Sequence, residues 1–99
     1  MGSVTESIEN YDVVLAEARS RAISGVPASD ILRYLVIDCG IQGKAQLMIL
    51  FCKGFGIELR LAGCIGGWWH DGSGELNDAK VNEILNPELS MYISNYEKS

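Results

Sequence analysis

The longest uninterrupted run of apolar residues in the chain is Leu47 to Cys52, and lysines stand on either side at Lys44 and Lys53. Six consecutive apolar residues leave no polar face for water, so other segments must surround them. The pattern favours a short, fully buried helix over about residues 44–53, although the residue types also fit a buried strand. We therefore predict a fold organised around this central helix.

Two amphipathic helical patterns precede the central run. The first opens with the capping-box spacing of Ser3 and Glu6 and ends near Gly25. Its apolar residues recur at intervals of three and four: Ile8, Tyr11, Leu15, Ala18 and Ala22. The second restarts after Pro27, at Ser29-Asp30, and stops at Gly40. One side of it is apolar: Ile31, Leu32, Leu35, Val36 and Cys39.

The connections on either side of the central run share one pattern, Gly40-Ile41-Gln42 and Gly56-Ile57-Glu58. Each has a glycine suited to a left-handed helix end, an apolar residue that packs back, and a polar residue that opens the next helix. The chain is therefore predicted to fold back twice. The helix after the second turn, over about residues 58–64, offers several side chains to the core: Leu59, Leu61, Ala62 and Ile65.

The C-terminal third predicts two further helices. Asn77 or Asp78 is suited to cap the first of them, and its apolar residues are Val81, Ile84 and Leu85. Asn86-Pro87-Glu88 predicts a stop and a new start, with Asn86 as N-cap. The second helix has its own apolar stripe: Leu89, Tyr92, Ile93 and Tyr96. Without an alternating strand pattern or a hairpin turn, the chain is predicted to be one all-α domain. We expect a compact bundle of five to six short helices, frayed at residues 1–4 and 97–99.

Composition narrows the class of protein. The chain has 99 residues, of which 47% are hydrophobic and 21% charged, as expected for a single globular domain. The apolar run is far shorter than the roughly 20 residues that a membrane span needs, and the N-terminus carries no secretion signal, so we expect a cytoplasmic protein. Residues 71–99 hold six acidic and two basic residues of a chain with net charge −5. Such acidity argues against nucleic acid and allows a partner with a basic surface.

The candidate metal sites are incomplete. Asp71 to Leu76 resembles positions 3 to 8 of an EF-hand calcium loop, but Trp69 and Lys80 stand where the first ligand and the bidentate glutamate are required. The three cysteines, Cys39, Cys52 and Cys64, form no Cys-x-x-Cys pair that could join His70 in a zinc site. We expect buried free thiols and no cofactor. Metal or ligand binding by the loop over residues 71–78 stays an alternative.

Catalytic and DNA-binding patterns are equally incomplete. Cys64 and His70 would act as nucleophile and base only within hydrogen-bond reach of each other, and we expect no enzymatic activity. Residues 36–49 have the rhythm of a helix-turn-helix motif. The polar side chains of its second helix are Lys44, Gln46 and Lys53, without the arginines and asparagines that read base edges. We interpret this motif as structural.

The strongest candidate for a functional surface is the pair Trp68-Trp69 in a glycine-rich stretch. Adjacent side chains do not both enter one core easily. Either one indole fills the bundle while the other covers its edge, or the pair anchors a partner, since tryptophan is enriched in interface hot spots. Acidic neighbours would form a rim that steers basic partners. The predicted partner-binding residues are Trp68, Trp69, His70, Asp71, Glu75 and Asp78.

Together these features suggest a small acidic protein-binding module. Its most concrete form is an inhibitor or immunity-type protein that neutralises a toxin or an enzyme by occlusion. An adaptor or regulatory subunit that acts through homo- or hetero-oligomerisation, including a homodimer, is an alternative. A small metal- or ligand-binding protein is a further one.

Overall fold

The computed structural model describes the backbone of residues 3–98 and the side chains of residues 12–95. A π-helical segment, Tyr34–Asp38, directly follows the helix over residues 28–33, and a 3-10 segment, Gly63–Gly67, directly follows the helix over residues 59–62. No strand occurs within residues 3–98, where a single parallel bridge joins Trp68 and Leu76. This part of the chain contains five α-helices: α1 (Ser3–Ile23), α2 (Ala28–Arg33), α3 (Lys44–Phe55), α4 (Leu59–Ala62) and α5 (Asp78–Lys98). The all-α prediction is confirmed, although α1 and α5 are long rather than short.

Helix α3 contains the apolar run, so the helical interpretation of Leu47 to Cys52 is confirmed and the strand alternative is wrong. It contacts α1, α4 and α5, with Leu47, Leu50 and Phe51 buried on one face. The prediction of complete burial is wrong at Ile49, whose side chain is 47% exposed. Ile49 lies off the face defined by the spacing of the buried residues.

The two predicted glycine turns are present on either side of α3. Gly40 and Gly56 have φ values of 73° and 68°, which glycine adopts without strain. Ile41 and Ile57 are buried directly after them, as predicted. The expectation that Leu59 enters the core is wrong, because its side chain is 63% exposed. Leu59 opens a single turn of helix whose inner side is formed by Ala62.

Helix α5 continues through Pro87, so the predicted break at Asn86-Pro87 is wrong. Proline removes one backbone hydrogen bond and here occupies an exposed position, while Leu85 and Leu89 on either side of it remain buried. Asn86 does not cap a helix of its own. Its Oδ1 instead accepts a 2.9 Å hydrogen bond from the backbone N–H of Ala28 at the start of α2.

The N-terminus of α2 is capped by side chains of α5. Asn82 Oδ1 accepts a 2.8 Å bond from Ser29 N, and Asn82 Nδ2 donates a 3.0 Å bond to Ser29 Oγ. Asn82 and Asn86 are four residues apart and so share one face of α5. The restart predicted at Ser29-Asp30 falls within the first turn of α2, where Ser29 is buried, and Pro27 occupies the N-cap position. This pairing fixes α2, and with it Arg33, relative to α5.

Some expectations concern side chains outside the described residues 12–95: the capping box of Ser3 and Glu6, and the apolar residues Ile8, Tyr11 and Tyr96. Fraying at 1–4 and 97–99 also concerns the ends of the chain, which the structure describes only in part. Of the α1 stripe that is described, Ala18 and Ala22 are buried and Leu15 is partly buried. Among the described residues, no helix is both long and apolar enough to cross a membrane.

Candidate functional site

Residues 68–77 connect the 3-10 segment to α5, and we call them the tryptophan loop. The loop closes on itself, because Leu76 N donates a 2.8 Å hydrogen bond to the carbonyl oxygen of Gly67. Gly74 lies directly against this closure. A Cβ atom at Gly74 would lie 2.5 Å from the Gly67 carbonyl oxygen and 2.8 Å from Trp69 N, so only glycine fits.

Trp68 is buried at the inner end of the tryptophan loop, with 0% of its surface exposed. Its indole Nε1 donates a 2.8 Å hydrogen bond to Asp78 Oδ1, at the first turn of α5. The guanidinium of Arg33 lies 5.6 Å from the ring centroid. Trp68 therefore belongs to the core, and its side chain presents no surface in this structure.

Arg33 at the end of α2 holds the tryptophan loop from the other side. Its Nη2 atom lies 2.9 Å from Asp78 Oδ1 and 2.7 Å from Asp78 Oδ2. Its Nε donates a 3.2 Å hydrogen bond to the carbonyl oxygen of His70. The sequence pattern did not indicate this role for Arg33. Its partners lie 37 and 45 residues further along the chain, so no local spacing could reveal them.

The internal hydrogen bonds keep two carboxylates of the site ionised. The indole of Trp68, followed by the Arg33 guanidinium, holds the pKa of Asp78 below its ordinary value. Hydrogen bonds from Ser73 lower the pKa of Asp71, whose Oδ1 accepts a 2.9 Å bond from Ser73 N. Asp78 is thus neutralised by Arg33, whereas Asp71 is an exposed anion.

Trp69 lies at the edge of the bundle, with part of its side chain against the core and part exposed. The ring centroids of Trp69 and His70 are 5.0 Å apart. Lys44 Nζ, from the start of α3, lies 5.7 Å from the Trp69 ring centroid. A shallow groove of about 300 Å³ runs beside the indole, and its walls include Arg33, Leu76 and Asn77. The arrangement is that of one tryptophan filling the bundle and its neighbour covering the edge.

The remaining predicted residues, His70, Asp71 and Glu75, are at the surface. His70 is partly exposed, and Asp71 and Glu75 are exposed. Within residues 12–95, neither of these two carboxylates has a cationic side chain within 4.0 Å. Glu75 borders a second groove beside Lys80 and Glu83, on the other side of Leu76. The surface of the tryptophan loop therefore presents the indole of Trp69, the imidazole of His70 and two carboxylates that have no cationic side chain of the described residues within 4.0 Å.

The described residues form no complete metal site. Among the described residues, no three His, Cys, Asp or Glu side chains are placed to hold one metal ion. In the loop over residues 71–78, both Asp78 oxygens already have partners: Oδ1 contacts Arg33 and Trp68, and Oδ2 contacts Arg33. Burial raises the pKa of the Cys64 thiol, which disfavours the thiolate that a nucleophile requires. All three cysteines are free thiols that are partly exposed, not fully buried as expected.

Comparison with models of protein families, with curated proteins and with solved structures found no match for this chain. The fold and the site define a small all-α domain with an aromatic, acidic loop held firmly at the surface.

Proposed function

We propose that this protein is a binding module that recognises a basic surface on a protein partner. In its most concrete form it is a cytoplasmic inhibitor or immunity-type protein, without catalytic activity of its own, that neutralises a toxin or an enzyme by covering it. The observation that carries the proposal is the position of Trp69, a large aromatic side chain that lies partly exposed on a loop fixed at both ends. The contact surface consists of Trp69, His70, Asp71 and Glu75.

The constraints on the tryptophan loop support this role. An exposed loop usually loses conformational freedom when it binds, which weakens the complex. Here the Trp68–Asp78 hydrogen bond, the close packing at Gly74 and the contact of Arg33 with the His70 carbonyl hold the loop before any partner arrives. A partner would meet a preformed surface, and truncation of a tryptophan at such a surface can weaken binding by about 2 kcal/mol or more.

The charges around Trp69 support a basic partner. Asp71 and Glu75 are exposed and have no cationic side chain within 4.0 Å among the described residues, and the whole chain carries a net charge of −5. Unpaired rim charges of one sign accelerate association with a surface of the opposite sign. Asp78 is excluded from this rim, because Arg33 already neutralises it.

The test is affinity capture from the source cells with three purified forms of the protein: the wild type, Trp69→Ala and Leu59→Ala. Leu59 is a matched control because it is an exposed apolar residue on α4, outside the tryptophan loop. We expect one stoichiometric partner with the wild type and Leu59→Ala, and its loss with Trp69→Ala when circular dichroism shows that this variant is folded. The purified partner should then lose activity on addition of this protein. A partner that binds all three forms equally would place the contact surface elsewhere.

Oligomerisation is a second candidate function, favoured by the large apolar side chains that the described surface exposes: Val13, Ile23, Ile37, Ile49, Leu59 and Met91. Isolated apolar residues are normal on a protein surface, whereas a contiguous patch marks an interface. Light scattering on the purified protein distinguishes the two functions. A stable dimer that dissociates on substitution of these residues favours an adaptor or regulatory subunit, and a monomer at micromolar concentration favours the module that binds another protein.

A further inference from the structure

The partly exposed indole of Trp69 already contacts a cation of the same chain, the ammonium group of Lys44. Lys44 Nζ lies 5.7 Å from the Trp69 ring centroid and donates a 3.0 Å hydrogen bond to the carbonyl oxygen of Gly66. A positive charge within about 6 Å of an indole centroid is attracted by the negative face of the ring. Trp69 is thus placed and oriented to bind a cation.

The interaction of Lys44 is of the kind that another cation can replace. Lys44 is exposed, and among the described residues no carboxylate lies within 4.0 Å of its ammonium group. Cation–π pairs at exposed positions are weak, since water solvates the ammonium group almost as well. An arginine side chain is a stronger competitor because its planar, weakly hydrated guanidinium stacks on aromatic faces.

We infer that the partner supplies an arginine or lysine side chain that displaces Lys44 from the Trp69 ring, an inference that rests on the proposed function. Two cations cannot share this position because they repel each other, so the partner's side chain binds only when Lys44 leaves. Asp71 and Glu75 attract the incoming charge. Lys44 then acts as an internal competitor that lowers the affinity of the surface for cationic partners.

The probe for this inference is an acetylated and amidated hexa-arginine peptide. We expect Lys44→Met to bind it about two- to five-fold more tightly than the wild type, the factor that corresponds to one exposed cation–π contact. Lys53→Met is the matched control, because it removes the same charge from the same helix beside a different groove, lined by Arg19 and Phe55. Lys44→Arg keeps a cation on the ring and should not gain affinity.

Displacement can also be observed directly by NMR. The Cε methylene protons of Lys44 are expected upfield in the wild type, because the Nζ atom bonded to Cε lies over the indole ring at 5.7 Å from its centroid. They should return to ordinary lysine shifts when the peptide saturates the protein. If they stay upfield, or if Lys44→Met gains no more affinity than Lys53→Met, the inference is overturned while the proposed contact surface stands. Equal binding of the peptide to Trp69→Ala also overturns it. The affinity capture with Trp69→Ala then decides the proposed function separately.

Discussion

The indole Nε1 of Trp68 donates a 2.8 Å hydrogen bond to Asp78 Oδ1, which joins the beginning of the tryptophan loop to the first turn of α5. The loop is therefore closed by a side-chain contact between its two ends. Arg33 binds the same carboxylate from α2. Side chains of the tryptophan loop, α2 and α5 are therefore in contact at Asp78. The position of Trp69 at the surface depends on these contacts.

Replacement of the buried indole should destabilise the protein. We expect Trp68→Phe to lower the free energy of unfolding by about 2–4 kcal/mol, because it removes a hydrogen bond to a charged group and leaves space in the core. Trp69→Phe, the same change at the partly exposed neighbour, should lower it by less than about 1 kcal/mol. Urea denaturation followed by circular dichroism measures both values. Similar losses for the two variants would contradict the assignment of Trp68 to the core.

Acid should weaken the contact at Asp78. The Trp68 hydrogen bond and then Arg33 hold the pKa of Asp78 below that of the unfolded chain, about 3.9. The stability gained from the ionised carboxylate is therefore fully present above this pH and is lost as the pH falls through the lower pKa of the folded state. We expect the stability difference between the wild type and Asp78→Asn to be constant above about pH 5 and to shrink below about pH 4.

The measurement is a set of urea denaturation curves for both proteins between pH 2 and 7. Asp71, whose pKa is also lowered, is present in both proteins, so its contribution cancels. A difference that does not change with pH would show that the charge of Asp78 adds nothing to folding.

The close approach at Gly74 predicts a strong effect of one methyl group. In Gly74→Ala the new Cβ meets backbone atoms of Gly67, Trp68 and Trp69 at distances from 2.5 to 2.9 Å. We expect a loss of about 1–3 kcal/mol in the free energy of unfolding, since the backbone has to move. Gly63→Ala is the control: its Cβ meets nothing within 4 Å and its φ of −58° is helical. Alanine there should stabilise by about 0.4–1 kcal/mol. Thermal denaturation compares the two, and equal effects would refute the close packing.

Removal of Pro87 from α5 should stabilise the protein. A proline inside a helix lacks the N–H that would bond to Glu83 four residues earlier, and its ring crowds that carbonyl. We expect Pro87→Ala to raise the free energy of unfolding by about 1–3 kcal/mol, partly offset by the greater freedom of the unfolded chain. Ser90→Ala, at another exposed position of α5, should gain no more than about 0.5 kcal/mol. A loss of stability in Pro87→Ala would indicate that the bundle uses a bend at this proline.

The features that the sequence predicted correctly depend on residues close together in the chain. Gly40 and Gly56 end helices because glycine adopts a left-handed conformation without strain. Asn77 caps α5 through a 2.9 Å bond from Lys80 N, three residues away. The apolar run Leu47 to Cys52 forms a helix, and the absence of alternating patterns predicted the all-α class. These signals act over a few residues, so the sequence alone contains them.

The predictions that failed depend on what each element packs against. The sequence by itself indicated that two adjacent tryptophans do not both enter one core easily, but only the tertiary structure decided that Trp68 is buried and that Trp69 is partly exposed. The choice is made by Asp78 and Arg33, which reach Trp68 from different helices. Likewise, the local sequence at Asn86 and Pro87 is typical of a helix start. Tertiary packing overrides that signal because Asn86 bonds to α2 and the buried stripe of Leu85 and Leu89 keeps α5 continuous.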